Sequence, residues 1–172
     1  MQHRSKDLEK EIKIVVLGRH NVGKTTFLES LLGNILKVEH NGDTISLDYG
    51  RLRIGDKTLH FFGTPGQERF EIIRDVIMRG MQGAILVIDS TKGIGEFEIK
   101  LLRKLKKEKI PLVVALNKWD LNSNLNVDHI PEFRGIKVIP MIATKGIGIK
   151  EVITSLIKFF IIMKVKKKLN RR

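Results

Sequence analysis

Gly18-Arg19-His20-Asn21-Val22-Gly23-Lys24-Thr25 decides the reading of this chain. The pattern is GxxxxGK[ST]. An apolar run, Ile12 to Leu17, precedes it, and a helical pattern from Thr26 to Leu32 follows it. Strand, glycine-bounded loop and helix in that order make a phosphate-binding loop rather than a chance string. Gly18 and Gly23 let the backbone curl until successive N–H groups point inward as an anion nest. The helix behind adds unpaired N-terminal donors and the positive end of its dipole. Lys24 is placed to reach the outer phosphates, and the Thr25 hydroxyl to ligate a magnesium ion. His20, Asn21, Val22 and Thr26 complete the phosphate-side set.

The rest of the chain alternates strands with helices. Thr44-Ile45-Ser46-Leu47-Asp48-Tyr49 alternates as a strand, after a loop over Gly33 to Asp43. Ile54-Gly55-Asp56-Lys57 signals a two-residue hairpin turn, and Leu59 to Phe62 is the returning strand. Gly83 to Asp89 and Pro111 to Leu116 are nearly all apolar, as strands buried on both faces are. Ile136 to Met141 is the last strand. Helices are expected over Ile94 to Lys107, near Val127 to Phe133, and over Gly148 to Met163. Apolar strands between helices argue for an α/β fold with a parallel sheet covered on both faces. In such sheets ligands bind at the carboxyl ends of the strands. The phosphate loop, the Gly66 loop and Asn117-Lys118-Trp119-Asp120 all fall at such ends.

Asn117-Lys118-Trp119-Asp120 reads NKxD, which selects the base. The Asp120 carboxylate can accept from both the ring N–H and the exocyclic amine of guanine. Adenine offers no such donor pair on that edge, and a polar site built for it rejects the wrong base. Asn117 and Lys118 would hold the base loop against the phosphate loop. Trp119 is expected to pack.

These motifs together resemble the Ras superfamily of small GTPases, over nearly the whole chain from Ile12 to about Met163. The resemblance implies a three-layer P-loop NTPase: a six-stranded, mostly parallel sheet with five helices. It implies GTP or GDP with Mg2+ as ligands, and unnamed effector and GTPase-activating proteins as partners. Thr44 matches the switch-one threonine that closes onto magnesium and the γ-phosphate. Gly66 matches the switch-two glycine whose N–H contacts the γ-phosphate, and Gln67 the residue that orients the attacking water. Ala143 matches the alanine of the SAK element, whose backbone N–H meets guanine, with Thr144 beside it. Catalysis would rest on Lys24, Thr44 and Gln67, and the metal on Thr25 and Thr44.

Two positions depart from the family pattern. The switch-two motif DxxGQ has Gly63 in place of its aspartate, as in the prokaryotic branch of MglA-type polarity GTPases. Thr64-Pro65-Gly66-Gln67 also looks like that branch. The hairpin suggests a repair. Counting outward from Gly55-Asp56 pairs Ile54 with Lys57, Leu52 with Leu59, Gly50 with Phe61 and Asp48 with Gly63. Opposed residues lie about 4.5–5.5 Å apart on one face. Asp48 then points across a residue without a side chain, toward the missing carboxylate's position, and joins the metal set. The alternative is an ordinary strand aspartate, since a one-residue slip would turn it away. His20 stands near the γ-phosphate, either obstructing a partner's arginine or facing solvent. Arg74 and Arg79 are either charge stabilisers in cis or solvated helix residues.

Composition bounds the setting. The 172 residues suit one domain, 1–163, followed by a basic tail, 164–172. There is no cysteine, so no disulfide framework. No leader, lipidation motif or membrane span is legible, so the expected location is cytoplasmic, with any membrane contact peripheral. Lys and Arg number 32 against 19 Asp and Glu, a formal +13. The excess gathers in Lys100 to Lys107 and in the tail, with a functional patch and a solvated, lysine-rich surface as the two readings. The last helix becomes apolar nearly all round before Lys164-Val165-Lys166-Lys167-Lys168. That suits an anionic membrane contact through 164–172. Nucleic acid gains little support, because no aromatic stacking platform is visible.

The reading is a GTP-binding switch with slow intrinsic hydrolysis. Its rival is a hydrolysis-impaired, guanine-nucleotide-dependent binding or scaffold module. An ATPase is opposed by NKxD.

Overall fold

The computed structural model describes residues 10–38 and 47–169, with side chains as far as Ile162. Among these, seven strands form one sheet: β1 (Glu11–Leu17), β2 (Leu36–Val38), β3 (Leu47–Ile54), β4 (Lys57–Gly63), β5 (Gly83–Asp89), β6 (Leu112–Asn117) and β7 (Lys137–Pro140). Their spatial order is β2-β3-β4-β1-β5-β6-β7. The strands from β4 to β7 in that order are parallel, while β3 is antiparallel to β4, and β2 to β3. Four α-helices flank the sheet: α1 (Lys24–Leu32), α2 (Glu71–Met78), α3 (Glu96–Lys107) and α4 (Ile149–Leu169).

Alternation along β1 divides the interior. Ile14 and Val16 join a core with Phe27 and Leu28 of α1 and Val152 and Leu156 of α4. Val15 and Leu17 join a second core with Met78 of α2 and Leu102 and Leu105 of α3. With both faces covered, β5 and β6 are buried at every residue. Trp119 packs at the edge of the second core.

The resemblance implies six strands, and the structure has a seventh. β2 lies inside the stretch expected as a loop, because Leu36 to Val38 pair with Tyr49 to Leu47 of β3. Of the five implied helices, four α-helices and three short 3-10 turns are present among the described residues: Glu68–Phe70, Pro131–Phe133 and Ala143–Lys145. The helix expected near Val127 to Phe133 is reduced to one of these turns. Asn122 and Asn126 accept from the N–H groups of Asn124 and Asp128, and such local bonds compete with helix formation. The last helix continues past residue 163 to Leu169, through residues with good helix propensity and no glycine or proline.

The hairpin keeps the counted register: Ile54 opposes Lys57, Leu52 opposes Leu59, and Gly50 opposes Phe61. One step past Tyr49–Phe62, a Cβ placed on Gly63 would lie 3.1 Å from Asp48 Cβ.

Candidate functional site

The loops after β1, β4 and β6 open at one end of the sheet and line a cavity of about 490 Å3. His20, Asn21, Gly23, Lys24, Thr25, Thr26, Asp48, Gly66, Gln67, Asn117, Lys118, Asp120 and Thr144 all line it. Gly18, Val22 and Ala143 lie outside the lining; Val22 and Ala143 are buried. Thr44 lies outside the described residues. Arg79 is exposed, and its carbonyl accepts from Lys13 Nζ.

Gly18 at φ +146° and Gly23 at φ +102° turn the phosphate loop as only glycine does freely. A side chain at either would also collide, with the Val87 carbonyl or with Asn117 Nδ2. Lys24 Nζ donates to the Gly18 and Arg19 carbonyls at 2.8 and 2.6 Å. Burial pushes its ammonium down to about 8, with Arg74 adding to the shift and Asp48 opposing it.

Asp48 is buried, and its Oδ2 accepts from Thr25 Oγ1 at 2.5 Å. A Cβ on Gly63 would stand 3.4 Å from that same Oδ2. A hydroxyl and a carboxylate oxygen side by side next to Lys24 are the hard donors that suit Mg2+. No group of three or more His, Cys, Asp or Glu able to hold a metal occurs among the described residues.

The loop after β4 lies against the phosphate loop. A Cβ on Gly66 would meet the Arg19–His20 peptide at 2.3 Å, so only glycine brings this backbone so near. Gln67 Oε1 accepts from Arg69 Nε at 2.7 Å. His20 is exposed at the rim.

The base loop is bonded to the phosphate loop. Asn117 Nδ2 donates to the Val22 carbonyl at 2.8 Å, and Lys118 Nζ to the Asn21 carbonyl at 3.1 Å. The Ala143 N–H donates to Asn117 Oδ1 at 2.9 Å, so a base reaching for it would share that donor. Asp120 is exposed and lines the cavity.

A scan against family models matches residues 13–118 to the family described as 50S ribosome-binding GTPase. The chain belongs to this family of P-loop GTPases. An uncharacterised protein of Methanocaldococcus jannaschii is 40% identical over 147 residues, covering 85% of this chain and 95% of its own. GTPase Der of Coxiella burnetii is 30% identical over 137 residues, 71% of this chain, which spans only 30% of Der. Among solved structures, the G domain of the T. maritima FeoB iron transporter matches with TM-score 0.68 at 24% identity, covering 87% of this chain and 98% of that one. The L. pneumophila FeoB cytosolic domain matches with TM-score 0.66 at 26% identity, covering 84% and 68%. The GTPase fold and guanine-nucleotide binding at the family level follow.

Several site residues of this GTPase escape a motif reading. Lys145 Nζ pairs with Asp120 Oδ2 at 3.0 Å; its place just after Ala143-Thr144 was the available signal. Asp89, ending β5, accepts from Lys118 Nζ at 2.6 Å and twice from Thr91. Burial pushes the Asp89 carboxyl up, but these donors outweigh it and hold it below the ordinary aspartate value. Arg19 pairs with the buried Glu98 at 2.8 Å, and Glu98 Oε2 also accepts the Gly95 N–H at the start of α3. Arg74, expected more as a solvated helix residue than as a charge stabiliser, is buried. Its guanidinium lies 4.9 Å from the Phe97 ring centre, and Nη1 reaches the Pro65 carbonyl at 3.5 Å.

Proposed function

We propose that this GTPase is a molecular switch that hydrolyses GTP to GDP and phosphate at a slow intrinsic rate. The observation that carries it is Asp48, whose carboxylate crosses Gly63 and bonds Thr25. The chain thereby keeps an acidic group beside the Thr25 hydroxyl although the usual switch-two aspartate is missing. Thr25 and Asp48, with Thr44, would hold Mg2+, which when bound neutralises charge on the β- and γ-phosphates. Lys24 stabilises the same oxygens, and the Gly66 N–H engages the γ-phosphate. Gln67 orients the attacking water once it releases Arg69. That release is one reason for a slow rate.

Gly63 with Thr64-Pro65-Gly66-Gln67 supports placing the protein beside the MglA-like branch. Effectors and GTPase-activating proteins would read the segments around Thr44 and over residues 64–81. A cytoplasmic location fits this reading, and the family's description puts the large ribosomal subunit among the partners to test. The Gln67–Arg69 bond favours a second reading, in which the protein binds GTP but hydrolyses it only with an activator.

Single-turnover GTP hydrolysis across a magnesium titration tests the proposal, with wild type beside Asp48→Asn and Gln67→Ala. Gln67→Ala should slow hydrolysis about 10- to 100-fold at saturating magnesium. Asp48→Asn should raise the magnesium requirement about tenfold. An unchanged magnesium requirement in Asp48→Asn removes Asp48 from the site. Equal inactivity of wild type and Gln67→Ala, with tight GTP binding, selects the second reading.

A further inference from the structure

The two basic clusters are far apart in sequence, and the fold brings them to one end. α3 starts at the nucleotide end, where Gly95 abuts Arg19, and finishes at Lys107. Lys109 and Ile110 then lead directly into the start of β6. α4 runs the same way: Phe160 lies against Gly83, the first residue of β5. From there its backbone stays helical to Leu169.

The starts of β1, β4, β5 and β6 thus share one end with the ends of α2, α3 and α4, opposite the nucleotide cavity. Lys10, Arg79, Lys106, Lys107, Lys109 and Lys158 are exposed there. Among the described residues the acidic ones at this end are Glu11, Asp56, Glu108 and Asp75, which shares a surface hollow with Arg79 and Glu108, and Glu11 is already bonded to His60. Earlier in α3, Lys100, Arg103 and Lys104 pair with Glu96, Glu132 and Asp75. Lys107 and Lys109 form no ion pair among the described residues, and Lys106 makes no salt bridge there but lies near enough to Glu132 to act on its charge. Ile161 and Ile162 are 58% and 50% exposed, and the sequence continues in the same helix as Met163-Lys164-Val165-Lys166-Lys167-Lys168-Leu169.

We propose that this whole end, and not the tail alone, docks on an anionic lipid surface. Lys106, Lys107, Lys109 and Lys158 would meet lipid phosphates, while Ile161 and Ile162 enter the headgroup boundary. No described helix is long and apolar enough to cross a membrane, so the contact is peripheral. Two observations favour lipid over a nucleic acid. Large apolar side chains are exposed among the cations, and the nearby rings of Phe159 and Phe160 pack against the core instead of offering a stacking platform. Docked this way, the nucleotide cavity and the Pro65–Gln67 loop that lines it face away from the membrane.

The test is co-sedimentation of the full chain with phosphatidylcholine vesicles, with and without phosphatidylglycerol, at rising salt. Wild type should bind only the anionic vesicles and dissociate as salt rises. The triple variant Lys106→Gln, Lys107→Gln, Lys109→Gln should bind on the order of 100-fold more weakly, since each cation near such a surface counts about fivefold. Ile161→Ser with Ile162→Ser should weaken binding by at least about tenfold. GDP affinity should be the same in all three proteins, which checks their folding. A triple variant that sediments like wild type overturns the proposal, because the tail alone would then suffice. Equal binding to neutral vesicles overturns it as well. So does a full chain that ignores anionic vesicles but binds ribosomal RNA at the same salt.

Discussion

Lys24 would carry the charge that meets the phosphates; burial and Arg74 work against that charge, while Asp48 and the Gly18 and Arg19 carbonyls support it. Its pKa in the folded protein is about 8, below the ordinary 10.5. For a depressed lysine, the group's contribution to stability is largest above 10.5 and is lost as pH falls through 8. A bound diphosphate favours the ammonium and raises the pKa again. GDP affinity should therefore be flat below about pH 8 and fall above it, with close to one proton taken up on binding near about pH 9. Calorimetry in EDTA, in buffers of differing ionisation enthalpy, measures that proton. No uptake near pH 9 would show that Lys24 stays charged in the free protein. Asp48 was legible at this scale because Gly55-Asp56 pins the hairpin, and a pinned register assigns every facing pair. Arg74 was not. Its burial depends on Phe97 coming from another helix, and nothing local to Arg74 announces that.

The first turn of α3 joins two loops of the site. Arg19 of the phosphate loop is held by Glu98, and Arg74 of α2 lies over Phe97 beside it. Arg74 also reaches the Pro65 carbonyl, one residue before the glycine that abuts the phosphate loop. Switch two is thus tied to an element that does not itself touch nucleotide. Arg74→Met should lower affinity for a non-hydrolysable GTP analogue about tenfold, with a smaller effect on GDP, because the Gly66 contact serves the γ-phosphate. Comparing both affinities by nucleotide displacement reads the difference. An equal loss for the two nucleotides would reduce Arg74 to a general electrostatic role. Among the elements, long apolar runs such as β5 and β6 declare themselves, since burial on both faces leaves no other composition. β2 does not: three residues show no period, and only their pairing with β3 makes them a strand.

Across the whole molecule, the motifs at strand ends revealed that the nucleotide binds at one end of a parallel sheet. They said nothing of the other end, which α3 and α4 reach from opposite faces of the sheet because they run in the same direction. The two ends should be separable. Gly83 is buried at the far end, and a Cβ there would stand 2.7 Å from Phe160 Cζ. Neither residue lines the nucleotide cavity. Gly83→Ala should therefore push α4 outward and cost about 1–3 kcal/mol of stability, as overpacking does, while GDP affinity stays within about twofold. Urea unfolding with and without saturating GDP measures both quantities. By linkage, the stabilisation that GDP adds depends only on its concentration and affinity, so wild type and variant should gain the same increment. A smaller increment in the variant would mean that strain at the basic end reaches the phosphate loop. Because β5 lies beside β1 along the sheet, that coupling would run through the paired strands rather than around the surface.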